Sequence, residues 1–173
     1  FLVSAGLATL LEQIQRFRFA EDDLAYLETL GFSKDFLSYL KSYRFSGDIY
    51  AIDEGRIVFE SEPVVQVEAR LPDAQIIETL VLNTVHFQTL VASKAARIHL
   101  VSEGKPLVDF GLRRAHGVEA GMYAARAAYL AGVDSTSNLM AGKMFHIPVV
   151  GTMAHSYIEA YDSEEDAFRS FAR

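Results

Sequence analysis

Pro106-Leu-Val-Asp109-Phe-Gly-Leu-Arg-Arg114, Tyr129-Leu-Ala-Gly-Val-Asp134-Ser-Thr-Ser-Asn138 and Ile147-Pro-Val-Val-Gly151-Thr-Met-Ala-His-Ser156 share one plan. In each, a short apolar run stops abruptly in a polar cluster, and a helical pattern follows. Strand, polar turn and helix, repeated, is the pattern of a parallel α/β sheet or barrel. In such folds the reactive groups lie at the carboxyl ends of the strands, where loops and helix amino termini converge. The fold class read from this stretch is therefore α/β, with the chemistry concentrated in residues 105–173.

Working outward, Pro72-Asp73 opens a long helix expected from about Ala74 to Leu100, which makes 71–104 a connecting segment. Residues 1–70 read as a helical and β-rich portion. Leu7, Leu10, Leu11 and Ile14 form one apolar helical face, and Glu21–Leu30 and Ser33–Tyr43 give two shorter amphipathic segments, with Ser33 as a cap. Ile49 and Ala51 lie on one side of the turn Asp53-Glu54-Gly55, with Ile57–Phe59 on the other. Val65 and Val67 alternate with Gln66 and Glu68, as strands do.

Half of the 173 residues are hydrophobic and 23% are charged, enough to build a core. The absence of cysteine excludes disulfides, thiolate metal sites and a cysteine nucleophile. A formal charge of -7 argues against general nucleic-acid binding. The most apolar stretch, Ile76–Val101, contains Glu78, His86, Lys94 and Arg97, and charges at that density oppose a membrane span. With no leader-like start, the reading is a cytoplasmic protein without nucleic-acid or membrane partners.

Three clusters offer chemistry. In Gly151-Thr-Met-Ala-His-Ser, glycine lets backbone approach a ligand, Thr152 and nearby N–H groups suit an anion, and His155 is a base or nucleophile. The plain alternative makes Thr152 a helix cap and His155 a bystander. In Asp109-Phe-Gly-Leu-Arg-Arg, two adjacent cations follow a strand and Phe110 offers a flat face. That combination suits a planar anion better than a solvated arginine pair. Asp134-Ser-Thr-Ser-Asn suits phosphate or ribose, and equally an Asx turn and helix cap. The remaining histidines lack metal-ligand spacing, and the acids of Glu159–Asp166 read as a solvated helix surface.

Together these words resemble the nicotinate phosphoribosyltransferase family. They are Phe1-Leu-Val-Ser-Ala-Gly-Leu, Asn83-Thr-Val-His-Phe-Gln-Thr-Leu, Ser93-Lys-Ala-Ala-Arg, Asp109-Phe-Gly-Leu-Arg-Arg-Ala-His-Gly, Asp134-Ser-Thr-Ser-Asn and Gly151-Thr-Met-Ala-His-Ser. The resemblance implies an irregular TIM-like barrel, of which residues 105–173 would be part. It also implies an enzyme that joins nicotinate to phosphoribosyl pyrophosphate, with Mg²⁺, while hydrolysing ATP. His155 would be the histidine that ATP phosphorylates, with Ser156 beside it. Gly151 and Thr152 would contact nicotinate, Phe110 would stack on its ring, Arg113 would lie near the base and the phosphate groups with Arg114 as support, and Asp134 would lie beside base or ribose.

The family is longer. Its amino-terminal segment supplies a tyrosine to the neighbouring subunit's site, and a second half of the barrel binds phosphates. The chain is therefore read as an internal portion, inactive by itself, of a homodimer with a shared active site. The rival readings are a related nicotinamide- or quinolinate-using transferase and a non-catalytic binding or structural domain of the same fold. Quinolinate enzymes lack the phosphohistidine that the Gly151–His155 word implies.

Overall fold

The computed structural model describes residues 1–173. Its spine is α4 (Leu71–Val101), 31 residues and about 46 Å long at 1.5 Å per residue. It starts three residues before the expected Ala74, because proline is tolerated in a helix's first turn, where its missing N–H has no partner to lose. The buried positions of α4 include Thr84, Gln88, Thr89 and Ser93 among Ile77, Ala92 and Ala95. The hydroxyls explain themselves through the segment laid across them. Val3 N donates to Ser93 Oγ at 2.8 Å and Ala5 N to Thr89 Oγ1 at 3.2 Å, so the helix satisfies backbone groups beside β1 (Leu2–Val3). No helix is long and apolar enough to cross a membrane.

The amino-terminal portion is mixed α/β, as expected. Helices α1 (Leu7–Arg16), α2 (Glu21–Thr29) and α3 (Lys34–Lys41) stand where the periodicity put them, and the Ser33 hydroxyl accepts from Phe36 N. Leu10 and Ile14 of α1 meet Ile77 of α4 in a small core, whereas Leu11 faces outward. The strands pair differently from a hairpin across Asp53–Gly55. β2 (Asp48–Ala51) pairs antiparallel with β4 (Val65–Glu68), and β3 (Ile57–Val58) pairs antiparallel with β1. The turn separates two sheets because its own groups are taken elsewhere. Gly55 N donates to Ser4 O at 2.8 Å, and Gly6 N donates to the Glu54 carboxylate.

Beyond α4, β5 (Val108–Asp109) pairs in parallel with β6 (Ser135–Thr136), and Val149 forms a parallel bridge to Thr136. Helix α5 (Val118–Leu130) connects β5 to β6, and α6 (Leu139–Phe145) connects β6 to Val149. Two short helices, α7 (His155–Glu159) and α8 (Glu164–Phe171), complete the chain. The α/β class holds, but the barrel does not: this strip of very short parallel segments is all the parallel sheet the chain contains. The accessible surface, 11881 Å², exceeds the about 8,400 Å² that size scaling gives a compact 19.2 kDa monomer. Leu139, Met140, Val149 and Val150 along the parallel strip are among the exposed apolar groups.

Candidate functional site

The carboxyl ends of the parallel segments form one edge, and Asp109 organises it. Its Oδ2 accepts from Thr136 Oγ1 at 2.8 Å and its Oδ1 from Gly111 N at 2.8 Å, while Ser137 N donates to its carbonyl. One carboxylate thus ties two strands together and turns the chain sharply after Phe110. Leu112–Arg114 then form a single 3-10 turn seated on α5, where Gly121 leaves room for Leu112.

Phe110 is 46% exposed. With Arg114 it lines a groove of about 540 Å³ between β5, α5 and α4, to which α4 contributes Phe87, Val91, Lys94 and Ile98. Arg113 shares the exposed turn but does not line the groove. Neither arginine joins an ion pair, so both guanidiniums are open to an anion. Sequence reasoning missed Lys94 as a second cation of the groove. The signal was its helical spacing from Phe87, Val91 and Ile98 on one face of α4.

Asp134 lies elsewhere. It precedes β6, at the amino end of the strip, and its carboxylate accepts from Leu107 N at 2.7 Å while its own N–H donates to Leu107 O. It is a clamp on the approach to β5, and the structure does not bring it to Phe110 and Arg114. The carboxyl-end residue of that cluster is Asn138, buried, whose Oδ1 caps α6 by accepting from Ala141 N at 3.1 Å. Its Nδ2 has no protein partner.

Gly151 and Thr152 follow the third segment, where Val150 N donates to Thr136 O at 3.1 Å. Thr152 is not a helix cap; Ala154 occupies that position of α7, and His155 and Ser156 begin the helix, both exposed. These four residues stand on the same edge by chain continuity, but they do not line the Phe110 groove.

A partly buried ion pair holds the halves of the chain together, and no motif announced it. Arg126 of α5 meets Glu54 at 2.8 and 2.7 Å, with side chains 18% and 14% exposed. Burial pushes the Glu54 carboxyl up, but the Arg126 hydrogen bonds and charge, with the Gly6 and Ala8 N–H groups, hold it below its ordinary value. Arg126 also donates to Gln88 Oε1 at 3.2 Å. A lone arginine inside Ala124-Ala-Arg-Ala-Ala128 was the available signal, since a cation on a small-residue packing face needs a partner.

A second cluster fixes the start of α4. Asp73, 1% exposed, accepts from Tyr39 Oη at 2.5 Å and Arg70 Nε at 2.8 Å. Tyr39 chiefly, and then Arg70, hold its carboxyl below the usual range against the effect of burial. Burial beside that charge pushes the Tyr43 phenol up to about 12.

An α/β chain with unpaired arginines and an exposed aromatic face at the carboxyl ends of parallel segments has the features of a binder of planar, anionic ligands. Comparison narrows the class. Residues 1–86 match the nicotinate phosphoribosyltransferase (NAPRTase) N-terminal domain. The whole chain is 51% identical to a nicotinate phosphoribosyltransferase of Mycobacterium tuberculosis and covers 38% of its length. It is 49% identical to one of Bacillus subtilis, with 99% of this chain and 35% of the relative covered. The crystal structure of human nicotinic acid phosphoribosyltransferase superposes with a TM-score of 0.85 at 34% identity, over 92% of this chain and 33% of that one. The chain belongs to the nicotinate phosphoribosyltransferase family, and it spans little more than a third of the length of these relatives.

Proposed function

We propose that this chain carries part of the active site of an ATP-coupled nicotinate phosphoribosyltransferase of NAD biosynthesis. The observation that supports this best is the single edge bearing Phe110, the unpaired Arg113 and Arg114, and the Gly151–Ser156 loop. Nicotinate is a flat anion: Phe110 offers its ring a face, and the arginine turn, with Lys94, offers its carboxylate positive charge. In the reaction the pyridine nitrogen bonds to the anomeric carbon of phosphoribosyl pyrophosphate as pyrophosphate leaves. Cations near that centre stabilise the departing charge.

His155 is the proposed phosphate acceptor. An imidazole nitrogen bonds to the terminal phosphorus of ATP as the bond to the bridging oxygen breaks, releasing ADP; water later cleaves the nitrogen–phosphorus bond. Thr152 and Ser156 supply hydroxyl donors, and Gly151 gives close access to backbone. Asp134, as a backbone clamp, supports β5 rather than touching base or ribose.

Mg²⁺ is proposed to arrive with the phosphates of the substrates. No three His, Asp or Glu side chains lie together, and Asp109 and Asp134 are already engaged. No step here runs through a metal held by this chain. The exposed apolar groups along the parallel strip support covering by further α/β structure, and we include a cytoplasmic homodimer with a shared site in the proposal.

The test is phosphorylation of the active enzyme with ATP labelled in its terminal phosphate. His155→Ala should abolish acid-labile label and ATP stimulation, and variants at His86, His99 and His146 should retain both. ATP hydrolysis still in step with nucleotide formation in the His155 variant would refute the assignment.

A further inference from the structure

Thr136 of β6 is the residue at which the three parallel segments meet, and it is 1% exposed. Its backbone faces the third segment: Thr136 N donates to Pro148 O at 3.0 Å, and Val150 N donates to Thr136 O at 3.1 Å. Its side chain faces the first, with Oγ1 2.8 Å from Asp109 Oδ2 and 3.0 Å from Asn138 N. Chemistry fixes the direction of the hydroxyl. A backbone N–H only donates and a carboxylate only accepts, so Oγ1 accepts from Asn138 and gives its single proton to Asp109. The other carboxylate oxygen, Oδ1, accepts from Gly111 N at 2.8 Å. A Cβ on residue 111 would lie 2.9 Å from that oxygen, so glycine is what lets the carboxylate sit against this N–H. Phe110 stands between the two anchored residues, and the arginine turn follows.

At its far end the turn rests on α5, where Leu112 fills the room left by Gly121. At its near end, the Asp109 carboxylate makes the one side-chain hydrogen bond to the segment from Phe110 to Arg114. A carboxylate held at both oxygens keeps one rotamer; without the Thr136 proton it is tied only to the segment it is meant to fix. Packing does not account for a hydroxyl here. Valine has the same shape and suits a buried strand, whereas a buried hydroxyl is costly unless it is hydrogen-bonded. We infer that Thr136 is a positioning residue for the base: through Asp109 it holds Phe110 in the orientation that stacks on the planar ligand. Its backbone separately carries the segment that leads to the His155 loop. This inference rests on the reading of Phe110 as the face for nicotinate.

Thr136→Val and Thr136→Ser in the active enzyme separate the hydroxyl from the shape. Valine keeps the backbone bonds to Pro148 and Val150 but leaves Asp109 Oδ2 without its donor; serine restores the donor. Thr136→Val should raise the KM for nicotinate roughly tenfold, equivalent to about 1.4 kcal/mol, and Thr136→Ser should stay within about twofold of wild type. Both should keep ATP-dependent labelling of His155. Gly111→Ala displaces the carboxylate from the exposed side, without touching the buried position, and should reproduce the rise. A double-mutant cycle gives the readout that a general loss of stability would not move. In the Phe110→Ala background, Thr136→Val should add less than about twofold, because the face it holds is gone. If Phe110→Ala raises the KM while Thr136→Val and Gly111→Ala do not, or if the two effects multiply independently in the double variant, the positioning role is refuted and the stacking reading stands. Loss of His155 labelling in Thr136→Val also overturns it, since the substitution would then disturb the whole edge. If Phe110→Ala leaves the KM unchanged, the stacking reading fails and this inference falls with it.

Discussion

Replacing Arg126 by methionine keeps an unbranched stem beside Phe145 but strands Glu54. The carboxylate would lose two short charged hydrogen bonds, at 2.8 and 2.7 Å, and retain the Gly6 N–H at 2.6 Å. Removing one member of a buried pair costs about 3–5 kcal/mol. The 14% exposure of Glu54 and its remaining backbone donors place the expectation near 3 kcal/mol. Urea denaturation of the 173-residue chain, followed by circular dichroism, should show a lower midpoint with an unchanged slope. The pH dependence follows from the lowered Glu54 pKa. A carboxyl whose folded pKa lies below its unfolded value contributes stability that is present above the unfolded value, 4.5, and lost as pH falls through the folded one. The gap between wild type and Arg126→Met should therefore be full at pH 7 and shrink below about pH 4.5. A cost under about 1 kcal/mol at pH 7, or a gap that widens in acid, would refute the reasoning, because such a pair would behave like a solvated surface contact.

Phe110→Ala in the active enzyme should raise the KM for nicotinate, with a loss of about 0.5–1.5 kcal/mol from stacking; an unchanged KM in a folded variant would make Phe110 a packing residue. Tyr39→Phe should destabilise by about 1.5 kcal/mol in urea, since it removes the hydroxyl that donates to the buried Asp73 carboxylate. Gly6→Ala should cost about 1–3 kcal/mol: Gly6 has φ +100°, and a Cβ there would lie 2.8 Å from Thr84 O. A thermal midpoint equal to wild type would contradict that close approach.

Local pattern carried the sequence a long way. Periodicity located α1 to α3 and α4, and the apolar runs before Asp109 and Gly151 located two of the parallel segments, because burial of one face or one strand is written in neighbouring residues. The run Tyr129–Val133 did not, since Tyr129 and Leu130 end α5 and β6 falls on Ser135–Thr136 within the polar cluster. The polar words after those runs marked the edge that bears Phe110, Arg113, Arg114 and the His155 loop. Pairing between distant segments was not legible. Asp53-Glu54-Gly55 reads as a turn with apolar runs on either side, yet β2 and β3 join different sheets, since their partners and the acceptor of the Gly55 N–H lie elsewhere in the chain. Asp134 and Asn138 look interchangeable in a five-residue polar word. Only the direction of β6 puts the first at the amino end as a clamp and the second at the carboxyl end as a cap. Glu54 and Arg126 stand 72 positions apart, and Gln88 stands 38 from Arg126. Their union depends on α4, α5 and the amino-terminal segment packing together, because hydrogen bonding and charge pairing are decided by distance in space, which no spacing along the chain records.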